Sequence, residues 1–200
     1  QNPPPLNSPV DFNGKKIEWA WLQWFQVLFN NIKAIIGSLG GQYINSPYGT
    51  FYSTTDQTLS AINTDTRVAM DTQGIVNGTY RVVGDGIHFQ QSGVYQYEYA
   101  LQIANTDASI FEAVVWLRKN GTDIPNSAYK FSVPGKHAGI DGYYLASAPF
   151  MIQLNAGDYV ELWWASNSTT VYMEAYAAQT LPYVRPAIPS VTVTVGHLSS

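Results

Sequence analysis

The chain has 200 residues, of which 12% are charged and 14% aromatic, and its formal net charge is −4. This composition excludes a disordered chain, which has few aromatic residues and a high net charge. The lack of excess basic residues excludes a nucleic-acid-binding protein, and the absence of cysteine excludes disulfides and thiolate metal sites. So low a charge favours an oligomer in which part of the surface is covered.

The first ten residues predict an extended arm. Four of them are prolines, which favour polyproline-like chain. Without a basic region, this stretch does not resemble a secretory signal.

A helical pattern follows the arm. Apolar residues recur at steps of three and four over residues 15–36, which predicts one amphipathic α-helix. Glycines at 37, 40 and 41 predict its end. Polar residues interrupt the pattern too often for a membrane span. We therefore assign residues 1–41 to an N-terminal arm and helix.

The helix carries an unusual density of aromatic residues. Large aromatic side chains dominate the energy of many protein interfaces. The pattern therefore favours an anchor that docks into another protein, with packing on the chain's own core as the alternative. The predicted anchor residues are Trp19, Trp21, Trp24, Phe25, Leu28, Phe29 and Ile32.

Beyond the glycines the apolar period changes to two. We assign residues 42–73 to an extended linker or first strand and residues 74–200 to a β domain. Turn dipeptides every 8 to 12 residues or so are typical of an all-β sandwich or barrel. The predicted strands cover residues 79–83, 87–90, 93–103, 111–119, 143–153, 159–164, 171–176 and 191–195.

Alternation within these strands indicates which faces are buried. In residues 95–103 the odd positions, from Tyr95 to Ile103, are apolar or aromatic, whereas Gln96, Glu98 and Gln102 are polar. We expect the odd positions to face the core. The strands at 111–117 and 159–164 are more continuously apolar, which predicts burial on both faces.

The order of motifs in the β domain resembles the ten-stranded jelly roll of the tumour-necrosis-factor and complement globular-head family. This family has a G-x-Y strand, a K-N-G hairpin and an L-x-x-G-D-x-V turn, in that order. The matching residues are Gly93 and Tyr95, then Lys119, Asn120 and Gly121, then Leu154, Gly157, Asp158 and Val160. The resemblance covers residues 74–198 and implies a jelly-roll β-sandwich that forms a homotrimer.

The N-terminal part resembles short structural proteins of tailed bacteriophages. In these, an N-S-P-V opening and an aromatic helix precede a variable β domain, as in residues 7–10 and 21–32 here. The resemblance implies a virion component at the phage particle surface, with an N-terminal anchor and a distal head. It leaves open whether the anchor binds the tail or the capsid.

Residues that could support catalysis are few. His88 and His137 lie near Asp85 and Asp141, but each pair spans a glycine-containing turn, and His197 lies near the C-terminus. No motif for a nucleophile, zinc or calcium is present. Carboxylates considered for glycoside cleavage are Glu98, Glu112, Asp158 and Glu161. We expect no enzymatic activity, no metal and no cofactor.

Aromatic side chains on the β domain could stack on sugar rings. The candidates for glycan contact are Tyr129, Tyr143, Tyr144 and Tyr172, with ordinary packing as the alternative.

The sequence thus favours a non-enzymatic phage virion protein. It would be a short trimeric fibre on the tail or head, attached through residues 1–41 to another virion protein, with a head that touches host polysaccharide. One alternative is a capsid decoration or cement protein that stabilises the shell. The other is a free carbohydrate-binding lectin.

Overall fold

The computed structural model describes residues 19–44 and 46–199, and within the helix it describes the side chains of residues 21–36. The chain divides into two compact units, Gln1–Ser46 and Pro47–Ser200. The arm predicted at residues 1–10 and the predicted helix start at residue 15 lie outside the described residues.

The first unit contains one helix, α1 (Trp19–Ile44). The predicted end at the glycines is wrong, because the helix continues through all of them to Ile44. A glycine costs a helix about 1 kcal/mol relative to alanine, but its backbone can still adopt helical dihedral angles. Glycines therefore weaken this last part of the helix without ending it.

The second unit is mainly β, as predicted. Its strands in chain order are β1 (Tyr48–Ser53), β2 (Thr66–Arg67), β3 (Thr72–Asn77), β4 (Thr79–Arg81), β5 (Ile87–Phe89), β6 (Gly93–Asn105), β7 (Phe111–Lys119), β8 (Thr122–Asp123), β9 (Tyr129–Val133), β10 (Gly142–Leu154), β11 (Tyr159–Ser166), β12 (Val171–Met173) and β13 (Val191–Ser199).

These strands form two antiparallel sheets. The six-stranded sheet has the order β10-β6-β13-β1-β3, and β12 also pairs with β6. The seven-stranded sheet has the order β4-β5-β11-β7-β8, with β2 paired to β11 and β9 to β7. Buried residues of both sheets belong to one hydrophobic core, so the fold is β-sandwich-like.

The alternation predicted for β6 is confirmed. Tyr95, Tyr97, Tyr99, Leu101 and Ile103 are buried in the core. On the other face, Gln96 and Glu98 are exposed and Gln102 is half-buried. Burial raises the pKa of the Tyr97 and Tyr99 hydroxyls, so both tyrosines stay neutral inside the sandwich.

The segment assigned to an extended linker or first strand contributes a strand to the sheet. β1 lies between β13 and β3, and Phe51 pairs with Val193 of β13. Phe51 is fully buried. Residues 48–53 are therefore part of the second unit's core.

Candidate functional surfaces

The helix presents its apolar side chains to solvent. The rings of Trp21, Trp24 and Phe25 pack on one another, with centroids 5.1 to 6.0 Å apart. Phe29 is 55% exposed and Ile36 63%. Among residues 21–36, Lys33 carries the one charge, and its ammonium lies 4.9 Å from the centre of the Phe29 ring. Of the predicted anchor residues, the Trp19 side chain lies outside the described residues, and none of the other six is buried.

Two pairs of aromatic rings bridge the two sheets where β9 and β10 form their edges. Tyr129 and Phe131 of β9 pair with buried Val115 and Ala113 of β7, so their rings point toward the space between the sheets. The Tyr129 ring lies 5.5 Å from Phe150 of β10. The rings of Phe131 and Tyr144 are also 5.5 Å apart. Two of the four predicted glycan tyrosines, Tyr129 and Tyr144, thus lie on this aromatic edge.

A cleft opens beside the aromatic edge. It has a volume of about 370 Å³, within the range of small-ligand sites. Phe150 and Ile152 contribute apolar walls, and Lys119, Asn126 and Gln153 add polar groups. Met151, which also lines the cleft, is 78% exposed.

The other two predicted tyrosines lie on the outer face of the six-stranded sheet. Tyr143 and Tyr172 both pair with Ala104, from opposite sides of β6. The Tyr176 hydroxyl donates a hydrogen bond to Glu174 Oε2. Burial, together with hydrogen bonds to Glu174 and Tyr143, raises the pKa of the Tyr176 hydroxyl. The structure therefore separates the four tyrosines into two pairs on different surfaces.

Apart from Glu174 beside Tyr176, this outer face carries little charge. On β1, β6, β10 and β13, all of them described, Glu98 is the one charged side chain among the outward-facing positions. The outward-facing neighbours of Glu98 are Thr194 of β13 and Pro149 of β10. The remaining outward-facing residues are Tyr48, Thr50, Tyr52, Val94, Gln96, Ala100, Gln102, Ala104, Tyr143, Leu145, Ser147, Met151, Gln153, Thr192 and Gly196.

The outer face of the seven-stranded sheet is different, because it combines rings with charges. His88 is stacked between Tyr80 and Tyr159, with both centroid distances 5.1 Å. His88 Nε2 lies 2.8 Å from Asp85 Oδ2. The sequence interpretation of Asp85 and His88 was a surface turn. In the structure, His88 also forms the middle of a three-ring stack.

A second cluster on this face surrounds an arginine. The Arg118 guanidinium lies 3.9 Å from the ring centre of Trp163 and 5.7 Å from that of Trp116. Asp65 and Asp123 bind the same guanidinium at 2.9 and 2.5 Å. Sequence reasoning missed this cluster because it took β7 and β11 as strands buried on both faces. Trp116 and Arg118 are two positions apart in the sequence, and this spacing could have indicated that both side chains lie on one face of the strand.

Cations contact three of the four carboxylates considered for glycoside cleavage. Glu112 lies 2.9 Å from Lys130, Asp158 lies 3.6 Å from Lys119, and Glu161 lies 3.6 Å from Arg67. Glu98 is exposed, as predicted. In the part of the chain that the structure describes, no group of three or more His, Cys, Asp or Glu residues could hold a metal ion.

No family model matches the chain. No curated protein matches it either. Among the described residues, no helix is long and apolar enough to cross a bilayer.

Proposed function

We propose that the protein is a non-enzymatic structural component of a tailed-phage virion, a short trimeric fibre on the tail or head. The observation that carries this proposal is the helix. It belongs to a different compact unit from the β domain and leaves Phe25, Leu28, Phe29 and Ile32 exposed. A row of exposed apolar side chains on one helix is typical of a helix that docks into a partner protein.

We propose a jelly roll for the head, and the strand pairing supports it. Folding one long hairpin of eight strands into two sheets pairs the first strand with the eighth, second with seventh, third with sixth and fourth with fifth. The principal strands here pair in that way: β1 with β13, β5 with β11, β6 with β10 and β7 with β9. Connections of this kind are also found in the tumour-necrosis-factor-like family.

The two low-charge surfaces support a trimer. A closed ring of three copies needs two different patches on each copy, because each copy contacts one neighbour with each patch. The outer face of the six-stranded sheet offers one patch of low charge, and the adjoining aromatic edge offers a second patch. Burial of both patches would remove exposed side chains such as Tyr129, Tyr144 and Met151 from water.

Attachment is tested by assembling phage particles with variants of the helix. We expect Trp24→Ala together with Phe29→Ala to leave particles without the protein, whereas Asn30→Ala, on the same helix, leaves its copy number unchanged. Quantitative mass spectrometry of purified particles measures the copy number. Equal copy numbers for all variants would contradict an anchor. Loss of the protein accompanied by fragile capsids would favour a cement protein instead of a fibre.

Glycan contact is a second candidate function, supported by the outer face of the seven-stranded sheet. That face stays in solvent in the proposed trimer and combines Trp116, Trp163 and Tyr80 with charged groups. Sugar rings stack on such aromatic side chains and hydrogen-bond to neighbouring polar groups. The aromatic edge, with Tyr129 and Tyr144, is the competing location.

A binding assay on an array of bacterial surface polysaccharides tests both locations. We expect Trp116→Ala to reduce binding of the full chain about tenfold, the loss of one stacking contact of about 1.4 kcal/mol. Tyr129→Ala and Tyr144→Ala test the aromatic edge in the same assay. Loss of binding only with the tyrosine variants would move the glycan to that edge, and no binding by the unchanged protein would contradict glycan contact.

A further inference from the structure

The apolar residues of α1 follow a heptad spacing. Counting from Trp21, steps of four and three lead to Phe25, Leu28, Ile32 and Ile35. This 4-3-4-3 spacing assigns Phe25 and Ile32 to heptad position a, and Trp21, Leu28 and Ile35 to position d. These five residues form a single seam along the helix, which we call the a/d seam.

Over residues 21–36 no polar residue takes position a or d, and Asn31 takes position g. Gln26 and Lys33 take position b, and Gln23 and Asn30 take position f. Positions b and f lie on the side of a helix away from the a/d seam. On that side of the helix Gln26 Nε2 donates a hydrogen bond to Asn30 Oδ1 at 3.2 Å.

The seam is unpartnered in the single chain. Phe25, Leu28, Ile32 and Ile35 are all exposed, and Trp21 is only half-buried by its packing on Trp24 and Phe25. Three glycines further weaken the helix. Isolated helices are marginally stable in water, so most helical stability in proteins comes from packing of an apolar face. This seam therefore needs a partner.

We infer that the partner is α1 of the two other copies of this chain, so that three helices form a parallel coiled coil through the a/d seam. This inference rests on the proposed trimer. Leu22, Phe29 and Ile36 at position e widen the apolar stripe beyond a and d, as in helices of bundles.

Chain connectivity favours a second copy over an unrelated protein. Residues 45–47 alone separate α1 from β1, so a trimer of heads would carry three identical helices, each on a short linker. Tethering through a short linker raises the effective concentration of binding partners to the millimolar range. Identical helices related by a threefold axis are parallel and in register, which places seam residues against the same seam residues.

Charge is also compatible with self-association. Lys33, the one charge on residues 21–36, takes position b. Three copies of this lysine would therefore lie on the outside of the coiled coil and apart from one another. The seam itself contains no charge that identical helices would bring together.

The coiled coil divides the helix between two tasks. The a/d seam would hold the three copies together, while Trp24 at position g and Val27 at position c stay outside the seam. These outer residues are then available to the virion partner. The predicted anchor residues Phe25, Leu28 and Ile32 would then act indirectly, because they pack between the three helices and do not contact the virion partner.

Single cysteines test this arrangement cleanly, because the natural chain has none. Full-length Leu28→Cys and Ile35→Cys variants place a thiol in the seam, and matched Asn30→Cys and Gln23→Cys variants place one at position f. A short bis-maleimide reagent at low protein concentration joins only thiols that are held close together. We expect both seam variants to form covalent dimers at least about tenfold faster than both control variants.

The mass of each variant by light scattering is measured in parallel. Trimers in which seam and control thiols react at equal rates, or in which neither reacts, would overturn the coiled coil while leaving the trimeric head intact. Monomers throughout would overturn the trimer and the coiled coil together. Two seam positions are used so that a local disturbance at one of them cannot decide the result.

Discussion

Asn105 shows how a single buried polar residue fixes the end of a strand. Its Nδ2 donates to the carbonyl oxygens of Ser109 and Pro134 at 2.8 and 3.1 Å. Its Oδ1 accepts from Asp107 N and Thr170 Oγ1 at 3.0 and 3.1 Å. All of its hydrogen-bonding capacity is therefore used inside the protein, and it joins the loops that follow β6, β9 and β11.

We expect Asn105→Ala to lower the free energy of unfolding by about 3 kcal/mol, because it leaves buried partners unsatisfied. Chemical denaturation followed by tryptophan fluorescence measures this change. Asn155→Ala, at an exposed asparagine, is the matched control and should change the free energy by less than about 0.5 kcal/mol. Equal effects of the two substitutions would contradict the role of Asn105.

Asp158 carries a carboxyl group whose pKa is lowered in the folded protein. Burial raises the pKa of Asp158. Hydrogen bonds from the backbone N–H of Asn155 and from Asn120 Nδ2, together with the charge of Lys119, outweigh burial and lower the pKa overall. The folded pKa therefore lies below the unfolded value of about 3.8. The carboxylate stabilises the fold above that value, and this contribution is lost as the pH falls below about 4.

We therefore expect Asp158→Asn to reduce stability at pH 7 and to flatten the loss of stability between about pH 4 and pH 2. Melting temperatures measured across this range give the pH dependence. A variant whose melting temperature falls as steeply as that of the unchanged protein would show that Asp158 does not contribute to acid sensitivity.

At the scale of elements, the sequence predicted strands well where alternation is strong. In β6 every second side chain is buried, and β10 follows the same alternation except at exposed Tyr144 and half-buried Phe150, so the period of two is visible. β3 was missed because its exposed and half-buried residues give little apolar contrast. β9 was missed although Tyr129, Phe131 and Val133 alternate with polar residues, because the strand has only five residues. The partner of each strand could not be predicted, since pairs such as β1 with β13 join residues that are far apart in the chain.

The candidate surfaces were predicted only in part. The aromatic helix could be recognised because its residues are adjacent in sequence. The aromatic edge could not, because Tyr129 and Phe150 meet only once β9 and β10 have become neighbouring sheet edges. The same holds for Trp116 and Trp163, which come from paired strands.

The aromatic edge should be sensitive to charge if it is covered by a neighbouring copy. We expect Tyr129→Glu to convert trimers to monomers, because a buried unpaired carboxylate is costly in an interface. Tyr80→Glu, at a comparably exposed tyrosine on edge strand β4, should leave the mass unchanged. Circular dichroism confirms that both variants are folded. If the Tyr129→Glu variant is still a trimer, this result would contradict the proposal that the aromatic edge lies in the interface.

At the scale of the whole molecule, the chain joins two units that differ in how much of their apolar surface is buried. The head has a core of its own, in which Trp164, Tyr97 and Leu162 are fully buried. The helix has exposed apolar residues along most of its described length. A charged fraction of 12% is low for a monomer of this size. Association of copies would cover the low-charge outer face of the six-stranded sheet and the a/d seam of the helix at the same time.

The mass of the purified full-length protein in solution tests this organisation most directly. Light scattering coupled to size-exclusion chromatography gives the mass independently of shape. We expect three times the chain mass of 22.1 kDa, unchanged on dilution through the micromolar range. A mass of 22.1 kDa at every concentration would contradict the trimer, and with it the interfaces proposed for the head and the helix.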